Sequence, residues 1–561
     1  MAHTARLDKH DRRQRRSTPS NLSPQGLGRA DILDAVVDQH GNHWVRFGTA
    51  GRSYWFSLQE LQREPRSVFS RLSGPGMTYL TRGSQEGLRR LIEEHTDYRA
   101  GLVSTHQGWI GGHYVFGDGE VASGRDSTDQ VLVAFEPDEK FAAHGRLNDW
   151  IDAVHPLVEG QRLPLFVLAY AFIGPLMRFA PPEMLNPIVE LVGESGTGKS
   201  TLGVLASSVW GGRPGSDVGG GESWSLTLAS LDQVKRHHSD CHLTLDEGNL
   251  LGDGQQKLGD SINRAVFMLA STEEKRRFGD TGPRNHIRLA TLSTTNLPLA
   301  ELVNASQAVA GALAQRMITV RVVGEHGVLD TIPNGLSSAR STIESIRRAA
   351  DENYGVAGRE FIRRLLPYVA THNDELRASI GRRMAHYEAF AREEAARTPA
   401  RVTKTFAMTF GGGSLAQKCG LIPGEAKDLL WAIRSIHAAV DSEPRPARHR
   451  DPLQRIRDYV RSNWDALVAA DRLERPLTRS EFEESEGFWR AVEGGTEILI
   501  PSPRFQQVFT DSSQMMRALV RRGVARTEGG NSPKLTIKTP QGICRAGRVY
   551  CVRLPESPSA L

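Results

Sequence analysis

A glycine-rich stretch near the middle of the chain, GESGTGKST, has the residue types and spacing needed to hold phosphate groups. The residues that fit the pattern G-x-x-x-x-G-K-[ST] are Gly193, Gly198, Lys199 and Ser200. Such a loop curls backbone N–H groups around phosphates, places a lysine cation on the β- and γ-oxygens, and adds a hydroxyl to a Mg²⁺ shell. We therefore predict a P-loop for ATP and Mg²⁺, rather than a simple Gly-rich turn. The residues predicted to bind the nucleotide are Gly193, Glu194, Ser195, Gly196, Thr197, Gly198, Lys199 and Ser200.

Two adjacent acids follow the next apolar run, CHLTLDEG. Asp246 would hold Mg²⁺ with Ser200, and Glu247 would polarise the attacking water as a general base. A carboxylate in that place favours hydrolysis over transfer of phosphate to a second substrate. The alternative is a pair of acids that only caps the end of a strand.

Two later residues are candidates for sensing the γ-phosphate. Asn296 ends the run IRLATLSTTN, where its amide would bind the attacking water or the phosphate; a turn before Leu-Pro is the alternative. Arg316, in GALAQRMITVRV, is a candidate arginine finger for a neighbouring subunit, with a surface ion pair as the alternative. Arg284 and Arg288 are its rivals.

Three consecutive cations, Lys275, Arg276 and Arg277, precede Phe278 in a segment with two Gly-containing turns. Cations beside an aromatic ring suit a single nucleic-acid strand, whose phosphates they track and whose bases can stack. A solvated charged surface is the alternative. Basic residues are also concentrated at the two ends of the chain, where residues 504–553 hold ten Lys and Arg against Asp511 and Glu528. A polyanion would be attracted to such regions.

These residues require a parallel sheet to bring them together. PIVELV before the loop predicts a buried strand, and TLGVLASSVW after it predicts a helix whose N-terminus faces the phosphates. We predict an α/β fold with a P-loop NTPase core, meaning an AAA+ or RecA-like parallel sheet with flanking helices. Around it we expect a β-rich N-terminal domain and a helical plus winged-helix-like C-terminal region.

The predicted domains follow from changes in composition along the chain. They are a disordered basic tail (1–25), a β-rich domain (26–140), the ATPase domain (141–335), a helical domain (336–441) and a basic winged-helix-like module (442–561). The proposed break at 442–452 is SEPRPARHRDP. Beyond it we expect a helix over 453–470, a second over about 504–522, and strands in KLTIKT and RVYCVRL.

The 561 residues are 39% apolar and 24% charged, which is the balance of a soluble globular protein. Four cysteines without C-x-x-C spacing argue against a zinc site or a disulfide framework and favour a cytoplasmic location. The most apolar run, LPLFVLAYAFIGPLMRF, contains Pro175 and Arg178 and predicts a buried helix rather than a membrane span.

Taken together, several segments resemble a bacterial family called domain of unknown function 927. They are FVLAYAFIGPL, GESGTGKSTLGVLASSVWG, Trp224 with TLASLDQVKRHHSDCHLTLDEG, YGVAGREFIRRLL and the upstream GWIGGHYVFGDGEV. The resemblance covers most of residues 30–440. It implies Thr201 as a further loop residue, beside Gly193, Gly198, Lys199, Ser200 and the acid pair Asp246 and Glu247.

Members of this family are often found in mobile elements near TOPRIM-type primases, so the resemblance implies primase-helicase work, with a possible separate primase as a partner. No TOPRIM signature is visible in this chain. The order of loop, acid pair, STTN and Arg is also similar to superfamily-three helicases and AAA+ ATPases, which implies a homo-oligomeric ring, usually a hexamer.

Two functions from different classes fit these patterns. The first is an ATP-driven helicase or translocase of a phage, plasmid or integrated element, acting on nucleic acid and most simply on single-stranded DNA. The alternative is a nucleotide-gated switch or scaffold, such as a regulatory or phage-defence ATPase, which has a protein partner and does not move along DNA. Phosphate transfer to a small molecule is disfavoured by Glu247. No membrane partner is expected.

Overall fold

A computed structural model of the chain describes most of the sequence. The described residues are 30–49, 52–73, 81–124, 129–247, 255–274, 286–302, 313, 315–395, 397–442, 452–509, 512–529 and 534–556. They form two compact units, one made of residues up to 105 together with 129–136, and the other of 106–124 and 137–556.

The strands are β1 (Asp31–Val37), β2 (His43–Thr49), β3 (Arg52–Ser57), β4 (Arg99–Ala100), β5 (Leu102–Ser104), β6 (Gly108–Ile110), β7 (His113–Val115), β8 (Val121–Ser123), β9 (Val131–Val133), β10 (Ile188–Val192), β11 (Glu222–Ser223), β12 (Cys241–Asp246), β13 (Leu289–Thr295), β14 (Met317–Arg321), β15 (Val468–Ala469), β16 (Phe488–Val492), β17 (Gly495–Pro501), β18 (Ala525–Arg526), β19 (Ile537–Lys538) and β20 (Arg548–Leu554).

The α-helices are α1 (Leu58–Arg63), α2 (Pro65–Leu72), α3 (Arg82–Glu94), α4 (Leu147–Val158), α5 (Arg162–Ala171), α6 (Lys199–Ser208), α7 (Leu228–His237), α8 (Gln255–Ala270), α9 (Leu299–Leu302), α10 (Ala339–Glu352), α11 (Val356–Thr371), α12 (Asn373–Glu394), α13 (Ala400–Lys418), α14 (Ala426–Ser442), α15 (Pro452–Ser462), α16 (Arg479–Glu484), α17 (Ser502–Val508) and α18 (Ser512–Arg521). Within the described part of the chain, none of them is both long and apolar enough to cross a membrane.

The first unit contains a four-stranded sheet in the order β3-β2-β1-β4, packed against α1, α2 and α3. β1, β2 and β3 are antiparallel neighbours, and their alternating apolar residues, among them Val45, Phe47 and Phe56, form the core with the three helices. The segment HWVRFGTAGRSYWFSL, in the region predicted to be β-rich, forms the hairpin of β2 and β3. The segment GWIGGHYVFGDGEVAS forms the meander β6-β7-β8 and lies in the other unit.

The second unit is built around a five-stranded sheet in the order β11-β12-β13-β10-β14, with every pair parallel. Both faces of this sheet are covered, because Val189 and Leu191 of β10 join a core with α5, α6 and the helices α10 to α14, while Ile188 joins a second core with α7 and α8. Strands that are buried on both faces need nearly continuous apolar sequence, as in PIVELV. The mixed α/β fold with a parallel sheet is therefore confirmed.

The helix predicted in LPLFVLAYAFIGPLMRF is present as α5 followed by a 3₁₀ turn over Gly174–Phe179, and Leu163 to Ala171 are all buried. The uninterrupted apolar sequence is explained by this position, because helices α6, α13 and α14 surround α5 on several sides.

The last hundred residues form a six-stranded sheet in which β15-β16-β17-β20-β18 are neighbours and β19 pairs with β20. The helix predicted over 453–470 ends at Ser462, and the helix predicted over 504–522 is divided into α17 and α18. The hairpin of β16 and β17 was not predicted, although a Glu493-Gly494 turn joins FWRAV to GTEILIP. Strand β17 contains two buried polar residues, Thr496 and Glu497, and the Glu497 carboxylate pairs with Arg490 of β16.

Candidate functional site

The glycine-rich loop connects β10 to α6, as the sequence predicted for its flanking elements. Gly196 and Gly198 have φ values of 82° and 92°, a left-handed backbone that glycine adopts without steric cost. Glu194, Ser195 and Gly196 are exposed. The backbone of Thr197 is fixed by a hydrogen bond, because its carbonyl accepts the Val328 N–H at 2.9 Å. The tip of the loop is therefore open to a ligand and its base is fixed.

Lys199 is the first residue of α6 and is buried. Its Nζ donates to the carbonyl oxygens of Gly193 at 2.8 Å and Glu194 at 2.7 Å, so the cation lies inside the curve of the loop. Burial lowers the pKa of Lys199, and the negative charge of Asp246 acts in the opposite direction. The side chain is thus positioned where a phosphate in the loop would meet it.

Ser200, Asp246 and Thr294 form a hydrogen-bonded group of oxygens beside the loop. The Ser200 hydroxyl donates to Asp246 Oδ1 at 3.0 Å, and the Thr294 hydroxyl donates to the same oxygen. Hydroxyl and carboxylate oxygens are the ligands that Mg²⁺ prefers, and Mg²⁺ sites in proteins commonly use one or two carboxylates together with phosphates. The donor set fits that ion. Among the described residues there is no cluster of three His, Cys, Asp or Glu that would form an all-protein metal site.

Glu247 follows β12 directly and is exposed. Its φ of 61° is a left-handed conformation that is unfavourable for a residue with a side chain. Residues that are held in such conformations are concentrated at functional sites. Glu247 thus lies at the exposed end of the strand that carries Asp246.

Asn296 comes directly after β13, and its Oδ1 lies 3.4 Å from Lys199 Nζ. The strand order explains this proximity, because β13 lies between the loop strand β10 and the acid strand β12. The carboxyl ends of neighbouring parallel strands meet at one edge of the sheet, which is the usual ligand-binding edge of open α/β sheets. The structure therefore brings Lys199, Asp246 and Asn296 to one place. Thr201, in the first turn of α6, is half-buried.

Arg316 lies at the other edge of the same sheet. It immediately precedes β14, whose first residue Met317 is paired with Ile188 at the start of β10. Its guanidinium lies 4.3 Å from the centre of the Phe267 ring. Arg288, a rival for the same role, precedes β13 and so lies at that edge too. Arg284 is outside the described residues, as are the predicted nucleic-acid contacts Lys275, Arg276 and Arg277.

Sequence reasoning missed two buried polar residues that support the site. Thr294 contacts Asp246, and Ser293 accepts a hydrogen bond from Trp224 Nε1 at 2.8 Å. The run STTN within an otherwise apolar strand was the available signal, since buried hydroxyls need partners. The Trp224 ring is buried in the core beside β12.

Glu190, in the middle of β10, was also missed. It accepts hydrogen bonds from the Thr319 hydroxyl at 2.6 Å and from the Leu299 N–H at 3.1 Å. Burial raises the pKa of Glu190 to about 7. A carboxyl at the centre of PIVELV was the sequence signal, because an acid is rarely fully buried without a specific partner.

Part of the positive charge in the C-terminal region is paired with acids. Arg504 pairs with Glu486 at 2.5 Å, and Arg548 pairs with Glu528 at 2.7 Å. Residues 452–556 hold 17 Lys and Arg against 13 Asp and Glu, an excess of four, whereas residues 504–553 alone hold ten against two, an excess of eight. Arg517 and Arg521 of α18 are exposed.

Comparison with known proteins identifies a family over part of the chain. Residues 32–286 match DUF927, a domain of unknown function. The resemblance predicted from the sequence is therefore confirmed, and the DUF927 match contains the glycine-rich loop and the acid pair, although it ends before Asn296. No curated protein matches the chain.

Two solved structures are similar to the whole chain, beyond the DUF927 segment. One is SCCmec type IV Cch, described as an active helicase, with 15% identity, 94% of this chain and 93% of that chain covered, and a TM-score of 0.60. The other is the apo A form of the NrS-1 C-terminal region, with 10% identity, coverage of 92% and 96%, and a TM-score of 0.34. The first similarity establishes a shared fold.

Proposed function

We propose that this protein is an ATP-hydrolysing motor that acts on nucleic acid, as a DNA helicase or translocase of a mobile element. The observation that carries the proposal is the meeting of Lys199, Asp246 and Asn296 at the carboxyl edge of three adjacent parallel strands. A switch that only binds nucleotide needs the loop, whereas hydrolysis also needs an acid and a polar group beside the γ-phosphate.

In this proposal the glycine-rich loop binds the phosphates of ATP through its N–H groups and Lys199. The Lys199 ammonium, now donating to two loop carbonyls, would turn to the phosphate oxygens. Ser200 and Asp246 would hold Mg²⁺, which would neutralise charge on the β- and γ-phosphates. Thr294 fixes the Asp246 carboxylate through its hydrogen bond. Glu247 would take a proton from the attacking water, and Asn296 would orient that water.

The assignment to nucleic acid rests on two further observations. The chain shares a fold with a protein described as an active helicase, over 94% of its length. The sequence also carries Lys275, Arg276, Arg277 and Phe278 between the acid strand β12 and the Asn296 strand β13, where hydrolysis could move them. Assembly into a ring fits the position of Arg316, which lies at the wrong edge of the sheet to reach the loop of its own copy.

Steady-state ATP hydrolysis tests the proposal directly. The purified protein is assayed with and without single-stranded DNA, beside Lys199→Ala and Glu247→Gln variants. We expect the strand to stimulate hydrolysis, and each variant to lower the rate by at least about 100-fold. Lys418→Ala is the matched control, since Lys418 is an exposed lysine at the end of α13.

Hydrolysis that ignores DNA would reject the motor and favour the nucleotide-gated switch with a protein partner. Hydrolysis that survives in Lys199→Ala would reject the loop itself as the site.

A further inference from the structure

The C-terminal residues from α15 onward fall into two halves of opposite charge. Residues 452–511 hold eight Lys and Arg against eleven Asp and Glu, whereas residues 512–556 hold nine against two. Both acids of the second half, Glu528 and Glu556, already pair with arginines. Positive charge is therefore concentrated in the half that begins with α18, and such a concentration attracts a polyanion.

Helix α18 has an apolar inner face and a basic outer face. Met515, Met516 and Leu519 are fully buried, in a core shared with α15 and with the end of the sheet that contains β18. Arg517 and Arg521 are exposed. The buried methionines and leucine fix the orientation of the helix, so the two arginines are held toward solvent.

Arg517 and Arg521 are available to a ligand. Neither is paired with an acid in the part of the chain that the structure describes. They are four residues apart, which places them about 6 Å apart along the helix axis and about 40° apart around it. Ser513 is exposed one turn earlier in the same row. Guanidinium and hydroxyl groups are common donors to the phosphate oxygens of nucleic acids.

The neighbouring elements make α18 the second helix of a helix-turn-helix arrangement. Helix α17 ends at Val508 and α18 begins at Ser512, so the connection between them has three residues. Helix α18 then leads into β18, which pairs with β20 at one end of the strand order. In helix-turn-helix proteins the second helix lies in the major groove of duplex DNA, which is about 12 Å wide and admits an α-helix.

The composition of this half suits a duplex better than a single strand. Sites for single strands combine cations with aromatic rings on which bases stack. Residues 512–556 contain one aromatic residue, Tyr550, which is buried and stacked on Phe505 with ring centres 4.2 Å apart. A surface of cations without a stacking ring contacts the phosphate backbone, which is densest in charge on a duplex.

We infer that the outer face of α18, formed by Ser513, Arg517 and Arg521, is a binding site for duplex DNA. The two guanidinium groups donate to phosphate oxygens, and Ser513 lies at the amino-terminal end of the helix, which is the end that approaches the base edges. The choice of DNA as the polyanion rests on the proposed function. The binding itself needs no ATP, and the site is separate from the predicted single-strand contact at 275–277.

Fluorescence anisotropy with a labelled DNA duplex, in the absence of ATP, tests the site. Arg517→Ala combined with Arg521→Ala is expected to lower the affinity for the duplex by about 10-fold and the slope of log affinity against log salt by about 2, since each phosphate contact on B-DNA contributes about 0.9. The affinity for single-stranded DNA should be unchanged. Alanine favours helix, so the double variant should keep the fold of α18.

Two further double variants are the controls. Arg382→Ala combined with Arg472→Ala removes two exposed arginines that lie outside α18, and it should leave the duplex affinity unchanged. Arg517→Lys combined with Arg521→Lys keeps both charges, and it should keep the salt slope of the wild type. A loss in this lysine variant equal to that in the alanine variant would show that charge is not what α18 contributes, and would overturn the inference.

Photo-cross-linking provides a measurement that does not depend on affinity. A photoreactive amino acid placed at Ser513 is expected to cross-link to a labelled DNA duplex, whereas the same amino acid placed at Arg472 is not. Unlabelled duplex DNA should compete for the cross-link. Duplex RNA should not, because its deep and narrow major groove does not admit side chains. Equal competition by RNA would overturn the assignment to DNA.

The outcomes separate this site from the proposed motor. If the wild type fails to hydrolyse ATP but the α18 alanine variant loses duplex binding, the motor is rejected and the site is supported. If the wild type binds no duplex, or the alanine variant binds it as the wild type does, the site is rejected while hydrolysis stimulated by a single strand still supports the motor. Equal loss of affinity for single and double strands would make α18 a general contact and overturn the inference.

Discussion

At the scale of single residues, Glu247 combines the predicted catalytic carboxylate with an unfavourable backbone. Its left-handed φ of 61° comes directly after the buried strand β12, at the residue that follows Asp246. A glycine at this position would adopt the same φ without the clash of a Cβ atom. Glycine would be more stable than glutamate at this position, and residues that are kept at a cost in stability are typical of functional sites.

Substitution of Glu247 tests this conflict between stability and activity. Glu247→Gly is expected to raise the free energy of unfolding by about 1 kcal/mol relative to Glu247→Gln, because it relieves the left-handed strain. Both variants should lose ATP hydrolysis by at least about 100-fold. Urea denaturation of the two variants is the measurement. Equal stability of the two would contradict the strained backbone.

At the scale of elements, Glu190 connects three elements near the candidate nucleotide site. It belongs to β10, accepts a hydrogen bond from Thr319 of β14, and accepts the N–H of Leu299 at the start of α9. The segment that follows Asn296 is thereby attached to the strand that leads into the loop. A buried acid in this place makes the attachment sensitive to pH, because burial raises the pKa of Glu190 to about 7.

The sign of that pH dependence follows from proton linkage. Between about pH 4.5 and pH 7 the folded protein keeps a proton on Glu190 that the unfolded chain releases, so the contribution of Glu190 to stability falls as pH rises. Relative to Glu190→Gln, the wild type should lose up to about 3 kcal/mol of unfolding free energy over that range and change little above it. Urea denaturation of both proteins at pH 5, 6, 7 and 8 measures the difference. A difference that does not vary with pH would show that Glu190 titrates normally.

At the scale of the whole molecule, the proposed function raises the question of which surface would meet nucleic acid. The C-terminal region has many arginines but also many acids, and ion pairs such as Arg504–Glu486 occupy part of its charge. The cations at 275–277 are consecutive in the sequence and belong to the connection between β12 and β13. We therefore expect them to dominate contact with a single strand.

The salt dependence of the affinity for single-stranded DNA tests whether these three cations contact the strand. Charge reversal at Lys275, Arg276 and Arg277 is expected to lower the slope of log affinity against log salt for single-stranded DNA by about 2, since each phosphate contact on a single strand contributes about 0.7. Fluorescence anisotropy over a range of salt concentrations gives the slope. Reversal of three exposed cations of the helical region, Arg382, Arg392 and Lys418, is the control. An unchanged slope would show that residues other than Lys275, Arg276 and Arg277 contact the DNA.

The sequence by itself determined the local parts of the candidate site. The glycines, lysine and serine of the loop lie within eight consecutive residues, so the local sequence is enough to predict it. The strand before the loop and the helix after it were also predictable from their own local sequences. The buried helix α5 was predictable for the same reason, because its apolar run is continuous. The roles of Lys199, Asp246, Glu247 and Asn296 remain predictions.

Only the tertiary structure decided which distant residues meet. The order of the parallel strands places β13 between β10 and β12, and that order depends on long crossovers that local propensity does not encode. It therefore brings Asn296 to Lys199 and Thr294 to Asp246, and it puts Arg316 at the far edge, beside Arg401. Arg401 and Arg316 are separated by 85 positions in the sequence, so only the fold shows that both line one cavity.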